Sequence, residues 1–228
     1  MASLTFMDGI LLIVAGWLLI GACGLLAMRR TAFVAHVLFP LGALLGIILV
    51  IVSLASMFAA PHTAVLPLGL PGLPFHLRLD TLASYFLFVL GIVSTGVSIF
   101  SAGYFRQGEG TPPGLMCLEY HVCLASMALL LLADDAYVFM VTWETMTLAA
   151  TLLVIANHRI PEVRRAGFLY MLISHVGALG LLLCFGLLQA NTGDYTFANM
   201  RAQNLDLFWG SIAFFLALFG FGAKAGIL

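Results

Sequence analysis

Charged residues are scarce in this sequence. Its 228 residues include nine Lys and Arg and ten Asp and Glu, so 8% of the chain is charged and the formal net charge is -1. Without a basic surface or an acidic tail, the sequence predicts no nucleic-acid partner and no strongly basic protein partner. Hydrophobic residues make up 63% of the chain and the mean hydropathy is +1.13. This composition is typical of an integral membrane protein, with the lipid bilayer as its surroundings.

Metal-binding and redox motifs are also lacking. There are four cysteines, without CxxC spacing, and the six histidines do not cluster. We therefore predict no metal site, no cofactor and no catalytic residue in this chain, and we interpret the cysteines as small core residues. A cleavable signal peptide is not expected either, because Met1 to Met28 has no basic start and its apolar part is too long. The first segment is predicted to remain as an anchor.

Long apolar runs dominate what is present. A window of about 19 residues finds seven candidate membrane spans. Lipid offers no hydrogen-bond partners, so these spans are predicted to be helices. The predicted fold is an all-α, polytopic transmembrane bundle that forms a single membrane domain over residues 1–228. The spans run over Met7–Met28, Phe33–Phe58, Leu82–Tyr104, Leu115–Leu132, Ala136–Ala156, Ala166–Gln189 and Leu207–Leu228.

The arginines predict the orientation of the bundle. If the connections between spans are numbered from the N-terminus, Arg78 and Arg201 lie in even-numbered loops. Because basic loops stay in the cytoplasm, the odd-numbered loops are predicted to be cytoplasmic and the N-terminus to lie outside the cell (inner) membrane. The six arginines of the odd-numbered loops are Arg29, Arg30, Arg106, Arg159, Arg164 and Arg165.

Glu144 interrupts the fifth apolar run, where an ionised side chain is costly. On a helix it shares a face with Thr147 and Thr151, at i+3 and i+7, so this polar stripe is predicted to face the bundle interior. The stripe could line a proton path. The alternative is a protonated packing residue or a charge that holds two helices together. Asp134 and Asp135, just before this run, are predicted to cap its N-terminus.

Lys224 lies in the last apolar run, in GFGAKAG. The glycines favour a break in the helix, and broken helices at membrane depth line cavities or ion paths. A desolvated lysine can exchange its proton near neutral pH. The alternative is a lysine that reaches the membrane surface with its long side chain.

The sixth run adds three polar residues, Tyr170, Ser174 and His175. His175 could link the regions of Glu144 and Lys224, or it could form a simple hydrogen bond between helices. Ser174 joins Thr147 and Thr151 in the predicted polar lining. Gly177 and Gly180 in the same run are expected to allow a neighbouring helix to approach closely.

Three segments carry a family resemblance. They are LRLDTLASYFLFVLGIVSTGVSIFSAGYF, LLLADDAYVFMVTWETMTLAATLLVIA and FLALFGFGAKAGIL. They resemble the N-terminal half of the antiporter-like membrane subunits shared by respiratory complex I, Mrp antiporters and energy-converting hydrogenases. Within that superfamily, RRAGFLYMLISHVGALGLLLCFGLL and GFGAKAGIL are most similar to the branch of hydrogenase-4 component B and the formate hydrogenlyase membrane subunit.

The resemblance implies a fold with two inverted repeats and broken helices at their centres. The first repeat would begin near residue 115 and would be incomplete here, with a broken helix at the C-terminal end. Family members continue beyond the lysine into a second repeat. The chain is therefore expected to be the N-terminal portion of such a subunit, either as a fragment or as a short subunit.

The resemblance also implies roles. Glu144 and Lys224 match the family's charge pair, whose opening and closing accompanies proton movement, and His175 matches a histidine that continues the relay. The implied function is proton translocation in a redox-driven complex, either hydrogenase-4/formate hydrogenlyase or a complex I-like NADH:quinone oxidoreductase. Its partners would be the other membrane and peripheral subunits, which hold the redox centres. An Mrp-type cation/proton antiporter subunit and a non-conducting membrane anchor remain alternatives.

Overall fold

The computed structural model describes residues 5–104, 111–190 and 194–227. Within these ranges, seven helices are long and apolar enough to cross a membrane, which confirms the predicted all-α transmembrane bundle. The chain is a multi-pass membrane protein. The spans are α1 (Phe6–Leu26), a second span of α2 (Thr31–Phe33), a π-helical turn (Val34–Leu38) and α3 (Phe39–Ser56), then α4 (Thr81–Tyr104), α5 (Pro113–Leu132), α6 (Ala136–Val154), α7 (Pro161–Gln189) and α9 (Leu207–Ala225).

Two helix ends differ from the predicted ones: α7 starts at a proline, and α9 ends before a glycine. The α7 helix begins at Pro161 rather than Ala166, because proline suits the first turn of a helix, where no N–H partner is needed. In α9, Gly220 and Gly222 stay helical, and the helix continues through Lys224 to Ala225, with Gly226 as its C-cap at φ 74°. The glycines before Lys224 therefore do not break the helix. Arg106 and Leu228, which entered the predictions, lie outside the described residues.

A π-helical turn marks the second span. The N–H of Phe39 donates to the carbonyl of Val34, five residues earlier. Pro40 has no N–H and its ring crowds the carbonyl four residues before it, that of His36. The local hydrogen-bond ladder is thereby widened by one residue. The hydropathy pattern predicted the span but not this irregularity.

A β-hairpin outside the spans was not predicted. The Pro/Gly-rich connection after α3 forms β1 (His62–Leu70) and β2 (Leu73–Leu79), which pair antiparallel with an irregularity between Leu66 and Gly69. Gly69 has φ 111° and approaches the carbonyl of Leu73 so closely that a Cβ there would lie 2.6 Å from it. The prolines obscure the alternation that identifies strands in a sequence.

Asp135 ties the hairpin to the start of α6. Its Oδ1 accepts a hydrogen bond from the Val138 N–H, 2.6 Å away, which makes it the N-cap of α6 as predicted. Its Oδ2 accepts from the backbone N–H of His76, 2.9 Å away, and lies 3.0 Å from the Nδ1 of that ring. Asp134 is not the cap. Burial raises the pKa of the Asp134 carboxyl, and the nearby Arg78 and Arg201 oppose that rise.

The helices pack as two groups that share α5. One core lies among α1, α3, α4, α5 and the hairpin, with Trp17 and Leu87 fully buried in it. The other lies where α5 meets α6 and α7, around Cys123, Trp143 and Leu181. The α7 and α9 helices pair closely beside it, and the short α8 (Phe197–Ala202) precedes α9. Glu144, His175 and Lys224 all belong to helices of this second group.

Small residues allow α7 and α9 to approach each other, as the glycines of the sixth run predicted. A Cβ on Gly177 would lie 2.8 Å from the Cβ of Ala223 and 3.1 Å from the carbonyl oxygen of Gly220. A Cβ on Gly220 would in turn lie 2.8 Å from the carbonyl oxygen of Gly177. This contact lies next to Lys224, so it determines how near the lysine comes to α7.

Substituting Gly177 by leucine is expected to destabilise the bundle by about 1–3 kcal/mol, because the added side chain has no space between the two backbones. Thermal unfolding of the protein in detergent measures the effect. Gly186→Leu is the matched control on the same helix, since nothing lies within 4 Å of a Cβ at Gly186. Equal melting temperatures for the two variants would contradict the close packing of α7 on α9.

Candidate functional site

Glu144 pairs with His175 across α6 and α7. The Oε2 of Glu144 lies 3.3 Å from the Nε2 of His175. The pair borders a groove of about 240 Å³ lined by apolar residues of the same two helices, among them Met140 and Leu179. The other carboxyl oxygen, Oε1, is buried and has no hydrogen-bond partner in the described part of the chain. Glu144 therefore has one imidazole partner and an acceptor oxygen left over.

One hydrogen bond orients the His175 ring. Its Nδ1 lies 2.9 Å from the carbonyl oxygen of Met171. A carbonyl only accepts, so Nδ1 must carry a hydrogen in this contact. The Nε2 is then directed toward the Glu144 carboxyl group, at ion-pair distance.

Lys224 is held by a hydroxyl group and a phenol on the neighbouring helices. Its Nζ donates to the Oγ1 of Thr147, 2.8 Å away, and to the phenolic oxygen of Tyr170, 3.0 Å away. It also lies 5.6 Å from the ring centroid of Trp143 and 5.0 Å from that of Tyr170. Aromatic faces attract a cation, so the site suits an ammonium group without supplying a carboxylate.

A hydrogen bond within α6 orients the hydroxyl group of Thr147. The Thr147 hydroxyl donates to the carbonyl of Trp143, 2.8 Å away, which leaves its lone pairs free to accept from Lys224. Thr147 is fully buried, in agreement with the predicted interior stripe, whereas the Glu144 side chain of the same stripe is 31% exposed. Trp143 was not singled out in the sequence, although it precedes Thr147 by one helical turn on the same face.

The direct charge pair implied by the family resemblance is not formed. Lys224 and Glu144 make no ion pair within 4.0 Å: the lysine donates to Thr147 and Tyr170, and the glutamate lies 3.3 Å from His175. The reason lies in α7. Tyr170 and His175 are five residues apart, so their side chains point in different directions. Tyr170 contacts Lys224, and His175 contacts Glu144.

The remaining predicted lining residues are buried and form no hydrogen bond with the charged groups. Thr151 donates its hydroxyl to the carbonyl of Thr147, 2.7 Å away. Ser174 is 3% exposed and lies one turn before Gly177, on the face of α7 that packs against α9. Neither forms a hydrogen bond with Glu144, His175 or Lys224. Among the described residues, no group of three or more His, Cys, Asp or Glu side chains could hold a metal ion.

Part of the chain matches a known protein family. Residues 133–228, which contain α6 to α9 with Glu144, His175 and Lys224, match the family described as NADH:quinone oxidoreductase/Mrp antiporter, TM. This region of the chain belongs to that family. The matched region begins just before the Asp135 cap of α6 and includes the Glu144–His175 pair and Lys224.

Its relatives are longer membrane proteins. Hydrogenase-4 component B of Escherichia coli (strain K12) is 36% identical over 152 residues, which is 67% of this chain and 22% of that protein. NADH-quinone oxidoreductase subunit L of Mycobacterium tuberculosis is 29% identical over 138 residues, 60% of this chain and 21% of that protein. The chain thus spans less than a quarter of the length of these two relatives.

Solved structures have the same fold. The Mrp complex from Dietzia sp. DQ12-45-1b matches with a TM-score of 0.76 at 24% identity, covering 94% of this chain and 23% of that one. Respiratory complex I from Thermus thermophilus matches with a TM-score of 0.72 at 20% identity, covering 93% of this chain and 43% of that one. The chain therefore has the fold of an antiporter-like membrane subunit.

Proposed function

We propose that this chain moves protons as part of a membrane subunit in a redox-driven complex of the hydrogenase-4/formate hydrogenlyase or complex I-like type. The names of the relatives support this choice, since they include a hydrogenase component and a subunit of NADH-quinone oxidoreductase. The partners would be the other membrane and peripheral subunits, which would contain the redox centres. The membrane would be the cell (inner) membrane, with the N-terminus outside.

The observation that carries the proposal is the Glu144–His175 pair. A carboxyl and an imidazole 3.3 Å apart, on helices that span the membrane, would share one exchangeable proton. Lys224 contacts Thr147, which lies one turn from Glu144 on α6. Electron transfer elsewhere in the complex would change the electric field at Lys224. Its ammonium would then release a proton to water, and the Glu144–His175 pair would take up or pass on a proton in response.

Glu144→Gln in the intact assembly is expected to lower proton translocation about tenfold, because a neutral amide cannot exchange the proton held with His175. The measurement is acidification of native membrane vesicles relative to the rate of electron transfer. Thr145→Val is the matched control: Thr145 follows Glu144 on α6, is exposed, and bonds only to the carbonyl of Val141. Full proton translocation by Glu144→Gln would contradict the proposal.

The proteins that co-purify with the chain separate this function from cation/proton antiport. A hydrogenase-like or dehydrogenase-like peripheral subunit in the same preparation is the expected result. An assembly without any redox subunit that exchanges cations for protons would replace the redox-driven proposal. A non-conducting anchor would instead tolerate the simultaneous neutralisation of Glu144 and Lys224.

A further inference from the structure

Glu119 is a buried carboxyl group that the site described above does not use. It is 5% exposed, and its Oε2 is buried without a hydrogen-bond partner in the described part of the chain. It lies six residues after the start of α5, roughly 9 Å along the helix axis. An unpaired carboxylate at such a position is costly, so the group must be protonated or reached by water.

The helical position of Glu119 directs it toward the second helix group. Cys123 follows it by one turn on the same face of α5 and packs with Trp143, Met146 and Ala149 of α6. The Nζ of Lys224 lies 5.6 Å from the ring of that same Trp143. Glu119 therefore lies on the face of α5 that packs against α6, the helix whose Trp143 is near Lys224. It is one helical turn closer to the start of α5 than Cys123 is.

The start of α5 lies at the same end of the bundle as the end of α6. The backbone N–H and the hydroxyl of Thr111 both donate to the carbonyl of Ala156, at 2.9 Å, so the start of α5 lies beside the end of α6. Thr151 lies near that end of α6 and continues the buried stripe from Thr147. Thr147, the partner of Lys224, lies seven residues before the end of α6, roughly 10 Å along the axis, so Glu119 and Lys224 lie at similar depths from this end of the bundle.

The neighbouring His121 lies on a different face of α5 from Glu119. It is fully buried, and its Nδ1 lies 2.8 Å from the carbonyl oxygen of Cys117 on its own helix. Its Nε2 would lie 2.5 Å from a Cβ on Gly42, so the ring fits against the α3 backbone on the other side of α5. His121 and Glu119 are two residues apart and point to different faces. Only the carboxyl group faces the α6 side.

We propose that Glu119 is a further proton-carrying residue, which transfers protons through water between Lys224 and the aqueous phase at the end of the bundle where α5 begins. In one step the Glu119 carboxyl gives its proton through water to the neutral amine of Lys224, which leaves a carboxylate and an ammonium. The carboxylate then takes a proton from the aqueous phase. This inference rests on the proposed proton translocation and adds an entry group to it.

Two substitutions distinguish proton transfer from packing. Glu119→Gln keeps the shape of the side chain and removes the exchangeable proton, whereas Glu119→Asp keeps the proton and removes a methylene group. We expect proton translocation per electron in native vesicles to fall about fivefold in Glu119→Gln and to recover most of that loss in Glu119→Asp. A packing role gives the reverse order, and that order, or unchanged translocation in both variants, would overturn the proposal.

Infrared difference spectra of the assembly after a pH jump give an independent measurement. A carboxyl C=O band that shifts in Glu119→Asp is expected, and its absence would overturn the proposal even if Glu119→Gln failed to assemble. Ser126→Ala is the matched control, because Ser126 is buried on the same face of α5 and donates only to the carbonyl of Val122. If Glu144→Gln stops translocation and Glu119→Gln does not, this inference fails while the proposed function stands.

Discussion

Replacing Lys224 by methionine is expected to lower proton translocation about a hundredfold in the intact assembly, the largest functional effect in this chain. Methionine fills a similar volume along the helix and cannot carry a proton. The ammonium is also the group through which a changing electric field would act, so its loss should uncouple electron transfer from proton movement. The measurement is vesicle acidification at a matched rate of electron transfer.

The partners of Lys224 provide graded comparisons. Thr147→Val and Tyr170→Phe each remove one acceptor of the ammonium and keep its charge. A hydrogen bond to a charged group contributes about 1.5–3 kcal/mol, so each variant should misplace the lysine and cause a smaller loss than Lys224→Met. Arg201→Gln is the control for charge alone, because Arg201 lies in α8, outside the spans. Normal translocation by Lys224→Met would contradict the role of the lysine.

The largest effect on stability is expected from Asp135→Ala, at about 2–4 kcal/mol. Asp135 is fully buried and accepts from the backbone of Val138 and from both the backbone and the ring of His76. Its loss removes the N-cap of α6 and leaves the backbone N–H and the ring of His76, in β2, without this acceptor. Both consequences act where the hairpin meets the bundle, so thermal unfolding and hydrogen exchange at β2 are the measurements.

Asp206→Ala is the matched control for this stability prediction. Asp206 caps α9 by accepting from the Trp209 N–H, 3.0 Å away, and it is exposed, with no hairpin contact. Loss of such a cap costs about 1 kcal/mol. If both variants unfold at the same temperature, the hairpin contacts of Asp135 contribute nothing measurable. Faster exchange at β2 is expected in Asp135→Ala alone.

The residues outside the spans show where sequence reasoning was incomplete. The capping role of Asp135 could be predicted because an aspartate before an apolar run is a local signal. Its bond to His76 could not, since the two residues are far apart in the chain and meet only through the hairpin. Pro67 and Pro74 hid that hairpin by interrupting the strand pattern.

The sequence by itself determined the seven spans and the polar residues within them, because the cost of placing polar groups in lipid acts locally along the chain. Only the tertiary structure decided the partners of those polar residues. Close contact of α7 with α9 brings Lys224 to Thr147 and Tyr170, while the rotation of α7 directs His175 to Glu144. These pairings depend on helix rotation and side-chain rotamers, which packing between distant segments determines and a hydropathy pattern does not contain.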